Sequence, residues 1–213
     1  MQIEKKLLSP NKYTRPQKKL SKIDHIVIHY VGNPNSSAIA NRNYFENQAK
    51  GSNPRYASAH FIVGLQGEVV QCLECNEVGY HCGTEANNYT IGIEVCHPDD
   101  SGKFSDVTIK ALVELCQWLS KEYNIDLSKT TRHYDESGKN CPAYYVKNEQ
   151  EWKELKGRIM NMSTQSKWQE QSYEQLIKIL GLDEAYWTKD KVNDPITKGE
   201  VFAVLLKVLN YKK

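Results

Sequence analysis

Apolar positions along the first three quarters of the chain follow two different periods, and together they predict an α/β fold. Alternating apolar and polar residues and runs of β-branched residues predict four strands. The second and third of these are expected to form a hairpin around Gln66-Gly67. Spacings of three and four residues predict helices, the first capped by Ser36 or Ser37 and the second by Ser105. The strands are predicted at 22–31, 60–65, 68–72 and 90–96, and the helices at 36–49, 107–123 and 149–159. We therefore expect a central mixed β-sheet flanked by helices.

The two ends of the chain depart from this pattern. Residues 1–20 contain prolines and several lysines and predict an irregular arm. The small, polar segment 161–166 predicts a linker that follows a first domain at 1–160. Beyond the linker, 167–213 predicts a small module with two amphipathic helices, whose size leaves it little core of its own.

Composition and charge narrow the function classes. Hydrophobic residues make up 39% and charged residues 25%, the mix of an ordinary soluble protein rather than a disordered one. A net charge of +2 is too small to indicate a nucleic-acid partner. No apolar stretch reaches the about 20 residues that span a bilayer, and residues 1–20 lack the apolar core of a secretory signal. We therefore expect a protein that is made in the cytoplasm, binds no nucleic acid and does not insert into membranes.

The six cysteines are expected to be thiols or metal ligands rather than disulfides, because a cytoplasmic protein of this size is kept reduced. Cys72-x2-Cys75 has a spacing seen in metal sites, but no second pair of this kind follows it. We interpret Cys72 and Cys75 as small residues at the end of a strand.

Polar side chains that could bind a metal or exchange a proton occur within two predicted strands and in one loop. His29 and Glu94 lie inside otherwise apolar strands, whereas His133, Lys139 and Cys141 lie close together in a glycine-containing loop. Taken alone, a strand histidine is more often a hydrogen-bonded core residue than a ligand. Taken together, His29, His133 and Cys141 offer the imidazoles and the thiolate that zinc prefers, with a fourth position open as in catalytic sites. Glu94 is then a candidate general base.

These residues carry a resemblance to a known family. The chain resembles the type-2 N-acetylmuramoyl-L-alanine amidases, which include phage lysozyme-amidases, cytosolic anhydromuropeptide amidases and peptidoglycan recognition proteins. It is most similar to endolysins of phages and prophages of Gram-positive hosts, and the His-x5-Lys-x-Cys-Pro element is specific. The matching segments, in the family's order, are IVIHYVG (26–32), SAHFIVGLQGEVVQC (58–72), YHCG (80–83), TIGIEV (90–95) and RHYDESGKNCP (132–142).

The resemblance implies a role for each residue at a matching position. His29, His133 and Cys141 resemble the ligands of one zinc ion per chain. Glu94 resembles the catalytic glutamate, and Lys139 resembles the lysine that steadies the developing oxyanion.

One position departs from part of the family. Some relatives have a catalytic tyrosine just before the histidine of the SAHF segment, where this chain has Ala59, so Glu94 is the better base. Four further residues are candidates for binding substrate, and for the two histidines a purely structural hydrogen-bonding role stays open. They are His60, His81, Tyr30 and Asn33.

The resemblance leaves three functions open. The first is a lytic, endolysin-type amidase that acts at the cell wall after release and cuts the bond between N-acetylmuramic acid and L-alanine in peptidoglycan. The second is a recognition protein that binds peptidoglycan without cutting it, against which the intact Cys141, Glu94 and Lys139 argue. The third is a cytosolic recycling amidase, whose soluble substrate needs no anchoring module. We favour the first, as a monomer, with 167–213 binding the wall or mediating dimerisation.

Overall fold

The computed structural model describes residues 2–50 and 52–160. The contacts along the chain divide it into two units, Met1–Met160 and Asn161–Lys213. The predicted linker at 161–166 and the predicted helices of 167–213 lie outside the described residues. Within the described residues, no helix is both long enough and apolar enough to cross a membrane.

A mixed β-sheet forms the centre of the first unit, as predicted. Within the described residues it has six strands in the order β1-β4-β3-β5-β2-β6. All neighbouring pairs are parallel except β3 and β4, which form the predicted hairpin. The strands are β1 (Ile3–Lys5), β2 (His25–Tyr30), β3 (Phe61–Val63), β4 (Val69–Gln71), β5 (Thr90–Val95) and β6 (Thr131–Arg132).

The helices lie where the helical periodicity predicts them, and two short ones add to them. Ser37 caps the first helix by accepting from the Ala40 amide, and Ser105 caps the second by accepting from the Thr108 amide. Asn124 adopts the left-handed conformation that ends the second helix. The helices are α1 (Ala38–Gln48), α2 (Asp106–Tyr123), α3 (His133–Ser137), α4 (Ala143–Lys147) and α5 (149–160).

Helices α1 and α2 cover opposite faces of the sheet. Ile62 of β3 packs in one hydrophobic cluster with Ala38 and Phe45 of α1. The neighbouring Phe61 points the other way and contacts the Trp118 ring of α2 at a centroid distance of 6.3 Å. The two faces of the sheet are therefore distinct, and the side chains on the α1 face can be identified by register.

Two expectations about local structure were wrong. The arm at 1–20 contains β1, which pairs in parallel with β4 at the edge of the sheet. The three residues of β1 include a single apolar side chain, so no alternation of apolar and polar positions predicts a strand there. Pairing with β4 decides this element. The loop expected at 132–142 begins with α3, whose first turn is closed by Asp135 accepting from the Arg132 amide and side chain.

A buried ion pair fastens the N-terminal arm to the core. Arg15 donates from Nε to Glu77 Oε2 at 2.8 Å and from Nη2 to Oε1 at 3.1 Å. Its third nitrogen, Nη1, donates to the Leu8 carbonyl at 2.9 Å. The side chains of Arg15 and Glu77 are only 11% and 5% exposed, so each charge depends mainly on the other for its stabilisation.

The Arg15→Ala substitution is expected to lower the free energy of unfolding by about 3–5 kcal/mol, because Glu77 is left buried without its counter-charge. Urea denaturation measures this loss. Lys5→Ala is the matched control in the same arm, since the Lys5–Glu74 pair is 55% and 36% exposed and should contribute less than about 1 kcal/mol. Equal losses in the two variants would contradict the importance of burial.

Candidate active site

The register of the sheet brings the candidate residues onto one face. His29 on β2 and Glu94 on β5 are direct partners in the parallel pair, and Glu94 is also the partner of Ile62. Their side chains therefore leave the sheet on the face that α1 covers. Strand β6 pairs with β2 and ends where His133 begins α3, so His133 emerges beside His29.

The three predicted metal ligands converge. His29 Nδ1 lies 3.0 Å from His133 Nδ1 and 3.9 Å from Cys141 Sγ. All three residues are buried, and their donor atoms lie within 4.8 Å of one another. Helix α3 ends at Ser137 and is capped by Gly138, whose φ of 75° is left-handed. The chain then turns back, and the Tyr134 amide donates to the Cys141 carbonyl.

Hydrogen bonds assign the tautomers of both histidines. His133 donates from Nε2 to the Cys82 carbonyl at 3.1 Å, which leaves a lone pair on Nδ1. Thr90 donates its hydroxyl to the Ala86 carbonyl and so accepts from His81 Nε2. His81 Nδ1 then accepts from His29 Nε2 at 3.0 Å, which leaves a lone pair on His29 Nδ1 as well.

Two lone pairs therefore face each other at 3.0 Å, an arrangement that a cation between them would stabilise. Burial, followed by the neighbouring histidines, holds the pKa of His29 well below its ordinary value. Burial also lowers the pKa of His133, with a contribution from Lys139. Both shifts favour the neutral ring, the form in which imidazole binds metals. The donor set thus suits a metal ion of the zinc type.

Glu94 and Lys139 complete the site. Glu94 is partly buried, and its Oε2 is shielded from solvent and has no hydrogen-bond partner among the described residues. Burial raises the pKa of Glu94 to about 8, and the Lys139 charge opposes that rise. Burial likewise raises the pKa of the Cys141 thiol to about 12. A cation bound beside these groups would favour their ionised forms.

A cavity of about 710 Å³ opens onto these groups. Of the predicted substrate-binding residues, Tyr30 and His81 line it, whereas Asn33 and His60 do not. Sequence reasoning overlooked the aromatic side chains of Tyr44, Tyr56 and Tyr80, which also form the wall. These three tyrosines lie in separate segments of the chain, and no sequence motif predicts that they form one wall.

His60 has a structural position. It is fully buried, donates from Nε2 to the Glu77 carbonyl at 2.8 Å, and accepts at Nδ1 from the Gly92 amide at 3.0 Å. Both ring nitrogens are therefore occupied by backbone groups, which corresponds to the structural hydrogen-bonding role that the sequence left open for this histidine. Asn33 is exposed and does not line the cavity, so its contact with substrate stays a prediction.

The buried His60 predicts acid sensitivity. Burial lowers its pKa from 6.5 to about 4, so between these values the unfolded chain binds more protons than the folded chain. The free energy of unfolding should therefore fall as the pH decreases from about 6.5 towards 4, by about 3 kcal/mol from His60 alone. Urea denaturation at pH 7 and pH 4.5, with chelator throughout, measures the loss. His60→Asn, which keeps an acceptor for the Gly92 amide, should lose less; equal losses would contradict this assignment.

Cys82 is the buried residue beside the site that the sequence left without a role. Its Sγ lies 3.1 Å from His81 Nδ1, and its carbonyl holds His133. Its membership of the segment YHCG was the available signal. Cys72 and Cys75 are also buried. Cys72 comes directly after β4 in the chain and belongs to the hydrophobic cluster on the α1 face.

Comparison with known proteins gives a family match over the part of the chain that builds this site. Residues 19–144 match the family described as N-acetylmuramoyl-L-alanine amidase (Amidase_2). This segment contains β2 to β6 and every residue of the converging donor set.

Individual relatives are similar in sequence and in fold. The N-acetylmuramoyl-L-alanine amidase BlyA of Bacillus subtilis (strain 168) is 34% identical over 172 residues, which are 70% of this chain and 44% of BlyA. The chain thus spans less than half the length of this curated relative. The structure of the catalytic domain of XlyA is 26% identical with a TM-score of 0.61, covering 75% of this chain and 99% of that domain. A mutant endolysin from Bacillus subtilis is 29% identical with a TM-score of 0.61, covering 74% and 98%.

Proposed function

The chain belongs to the N-acetylmuramoyl-L-alanine amidase family, and on this premise we propose that it is a zinc-dependent, endolysin-type amidase. Its substrate is bacterial peptidoglycan, in which it hydrolyses the amide between N-acetylmuramic acid and L-alanine. The observation that carries the proposal is the convergence of His29, His133 and Cys141 in one cavity with Glu94, whose Oε2 is unpartnered within residues 2–50 and 52–160.

His29, His133 and Cys141 would hold the zinc ion. Two neutral imidazole nitrogens and one sulfur are donors that zinc prefers, and three protein ligands leave a further position for catalysis. A bound zinc ion supplies a Lewis acid that makes water more acidic and polarises a carbonyl group. The hydrogen bonds from His29 to His81 and from His133 to the Cys82 carbonyl orient both rings towards the ion.

Glu94 serves as the general base. Glu94 lines the cavity next to the proposed metal ligands, and its Oε2 accepts no hydrogen bond from the part of the chain that the structure describes. It accepts the proton of the attacking water and delivers a proton to the departing amine of L-alanine. Its environment, buried but beside the Lys139 charge, suits a group that must exchange a proton near neutral pH.

Lys139 provides positive charge at the mouth of the site. It lines the cavity on the loop that carries Cys141, and its own side chain is exposed. There it stabilises the negative charge that develops on the scissile carbonyl oxygen. Tyr30 and His81 are the predicted substrate contacts that line the cavity. Tyr30 would bind the glycan or the stem peptide, whereas both ring nitrogens of His81 already bond to Thr90 and His29.

We further propose that the hydrolysis of this bond serves cell lysis. This role is supported by the likeness to an endolysin of Bacillus subtilis over almost the whole of that structure. We propose that the protein acts at the cell wall as a monomer with peptidoglycan as its partner. Wall binding or dimerisation by 167–213 stays a prediction.

Mass spectrometry of digested Gram-positive walls tests the bond that is cut. The expected products are free glycan strands and stem peptides that begin with an unmodified L-alanine amino group. Because hydrolysis of a glycosidic bond would instead create reducing sugars, both kinds of end are assayed on the same digest. New reducing ends without new amino ends would refute the amidase assignment. Chelator-treated protein serves as the blank for wall autolysis.

A further inference from the structure

A second group of metal-type donors lies on the other side of the His29 ring. One donor atom each from His29, His81 and Cys82 lie within 4.8 Å of one another, and all three residues are buried. His29 Nε2 is 3.0 Å from His81 Nδ1, and Cys82 Sγ is 3.1 Å from that same nitrogen. The proposed zinc centre uses only Nδ1 of His29, so this group has a separate set of atoms.

Hydrogen bonding alone does not satisfy this group. Because His81 Nε2 donates to Thr90, neutral His81 has a single lone pair, which is on Nδ1. The N–H of His29 and the thiol of Cys82 both point at that lone pair, and they compete for it. A cation could instead take one lone pair from each residue. The nitrogen–nitrogen distance of 3.0 Å and the sulfur–nitrogen distance of 3.1 Å are shorter than the about 3.4 Å and about 3.6 Å expected around a tetrahedral ion with Zn–N bonds of about 2.0–2.1 Å and Zn–S bonds of about 2.3 Å. Side-chain shifts of about 0.5 Å would therefore admit the ion.

The backbone holds His81 and Cys82 in place for such a role. Asn87 Oδ1 accepts from the amides of both His81, at 3.1 Å, and Cys82, at 2.8 Å. Gly92 provides room for the His81 ring, since a Cβ at Gly92 would lie 2.5 Å from it. The donors are therefore fixed before binding, and all three residues line the cavity, through which an ion can enter.

We propose that His29, His81 and Cys82 form a second site that binds a thiophilic divalent cation. Binding releases the thiol proton of Cys82 and the Nε2 proton of His29, and the resulting imidazolate bridges the two ions when both sites are filled. Because this costs the additional His29 proton, the second ion binds more weakly than the first. The site shares His29 with the proposed zinc centre but depends on a different thiol.

Titration of the full chain with Cd2+ tests the second site. The wild type is expected to bind two ions per chain at saturation, counted by elemental analysis, and to show thiolate-to-cadmium absorption from two sulfurs. Cys82→Ala should bind one ion and lose about half of that absorption. Cys75→Ala is the matched control, because Cys75 and Cys82 are each 4% exposed but Cys75 belongs to no such donor group within the described residues. It should still bind two ions.

The outcomes separate this site from the proposed zinc centre. A wild type that binds only one ion, or a Cys82→Ala variant that binds as many as the wild type, overturns the second site. Equal losses in Cys75→Ala and Cys82→Ala also overturn it, since they would reflect unspecific thiol binding. The proposed zinc centre is tested by a different variant. If that proposal is wrong, Cys141→Ser will keep the tightly bound ion. Cys82→Ser, with near-ultraviolet circular dichroism, checks that loss of binding does not come from loss of the fold.

Discussion

Glu94→Gln is expected to lower kcat on peptidoglycan by about 10²–10⁴-fold, the usual contribution of a general acid–base group. The substitution keeps the shape of the side chain but removes its ability to accept a proton. Because burial disfavours the charged carboxylate, the folded state should lose little stability. The measurement is the release of amino ends from purified walls, with zinc content determined on the same samples.

Glu114→Gln is the control for this experiment. Glu114 lies on α2 in a weak i,i+4 pair with Lys110 and does not line the cavity. Its substitution should leave both activity and zinc content unchanged. If Glu94→Gln retained wild-type turnover, another group would have to be the base, and the oriented but unpartnered oxygen would need a different explanation.

Cys141→Ser is expected to remove the tightly bound zinc ion and to lower activity by about 10³-fold, equivalent to about 4 kcal/mol of transition-state stabilisation. Serine is a far weaker zinc ligand than a thiolate, and the two histidines alone leave the donor set incomplete. Zinc content at one equivalent of added metal and the rate of wall hydrolysis measure the two effects.

Metal removal gives an independent readout of the same centre. An ion that binds only the folded chain raises the free energy of unfolding, by about 2.7 kcal/mol when its concentration is 100 times Kd. Chelator should therefore lower the Tm of the wild type and of Cys75→Ser, but not that of Cys141→Ser. A wild-type Tm that does not respond to chelator would contradict a structural contribution of the metal.

Much of the fold was predictable from the chain itself, because each major element carries a local signal. Helix α2 has a repeating apolar stripe, an N-cap at Ser105 and a left-handed end at Asn124. The central strands β2 and β5 are runs of β-branched residues, which fit a sheet buried on both faces. The short elements β1, α3 and α4 carry no such signal, unlike β3 and β4 on either side of the turn at Gln66-Gly67, and their partners in the fold decide them.

The candidate site likewise contains residues that the sequence identified and residues whose roles only the structure shows. His29, Glu94, His133, Lys139 and Cys141 were identified as one constellation from their positions in the chain, and the structure brings them to one cavity. The roles of the remaining polar residues were not predictable in this way. His60 and His81 looked equivalent in sequence, yet His60 is bound to backbone on both sides whereas His81 faces the cavity and orients His29.

The sequence by itself therefore determined the kind of fold, the family and the candidate donors of a metal site, since these depend on residue type and spacing. Tertiary structure alone decided which lone pair each histidine presents, which tyrosines form the wall, and that Cys82 lies against His81. The physical reason is that a tautomer depends on hydrogen-bond partners from distant segments, such as Thr90 for His81 and the Cys82 carbonyl for His133. These partners become neighbours only when the register of the sheet is formed.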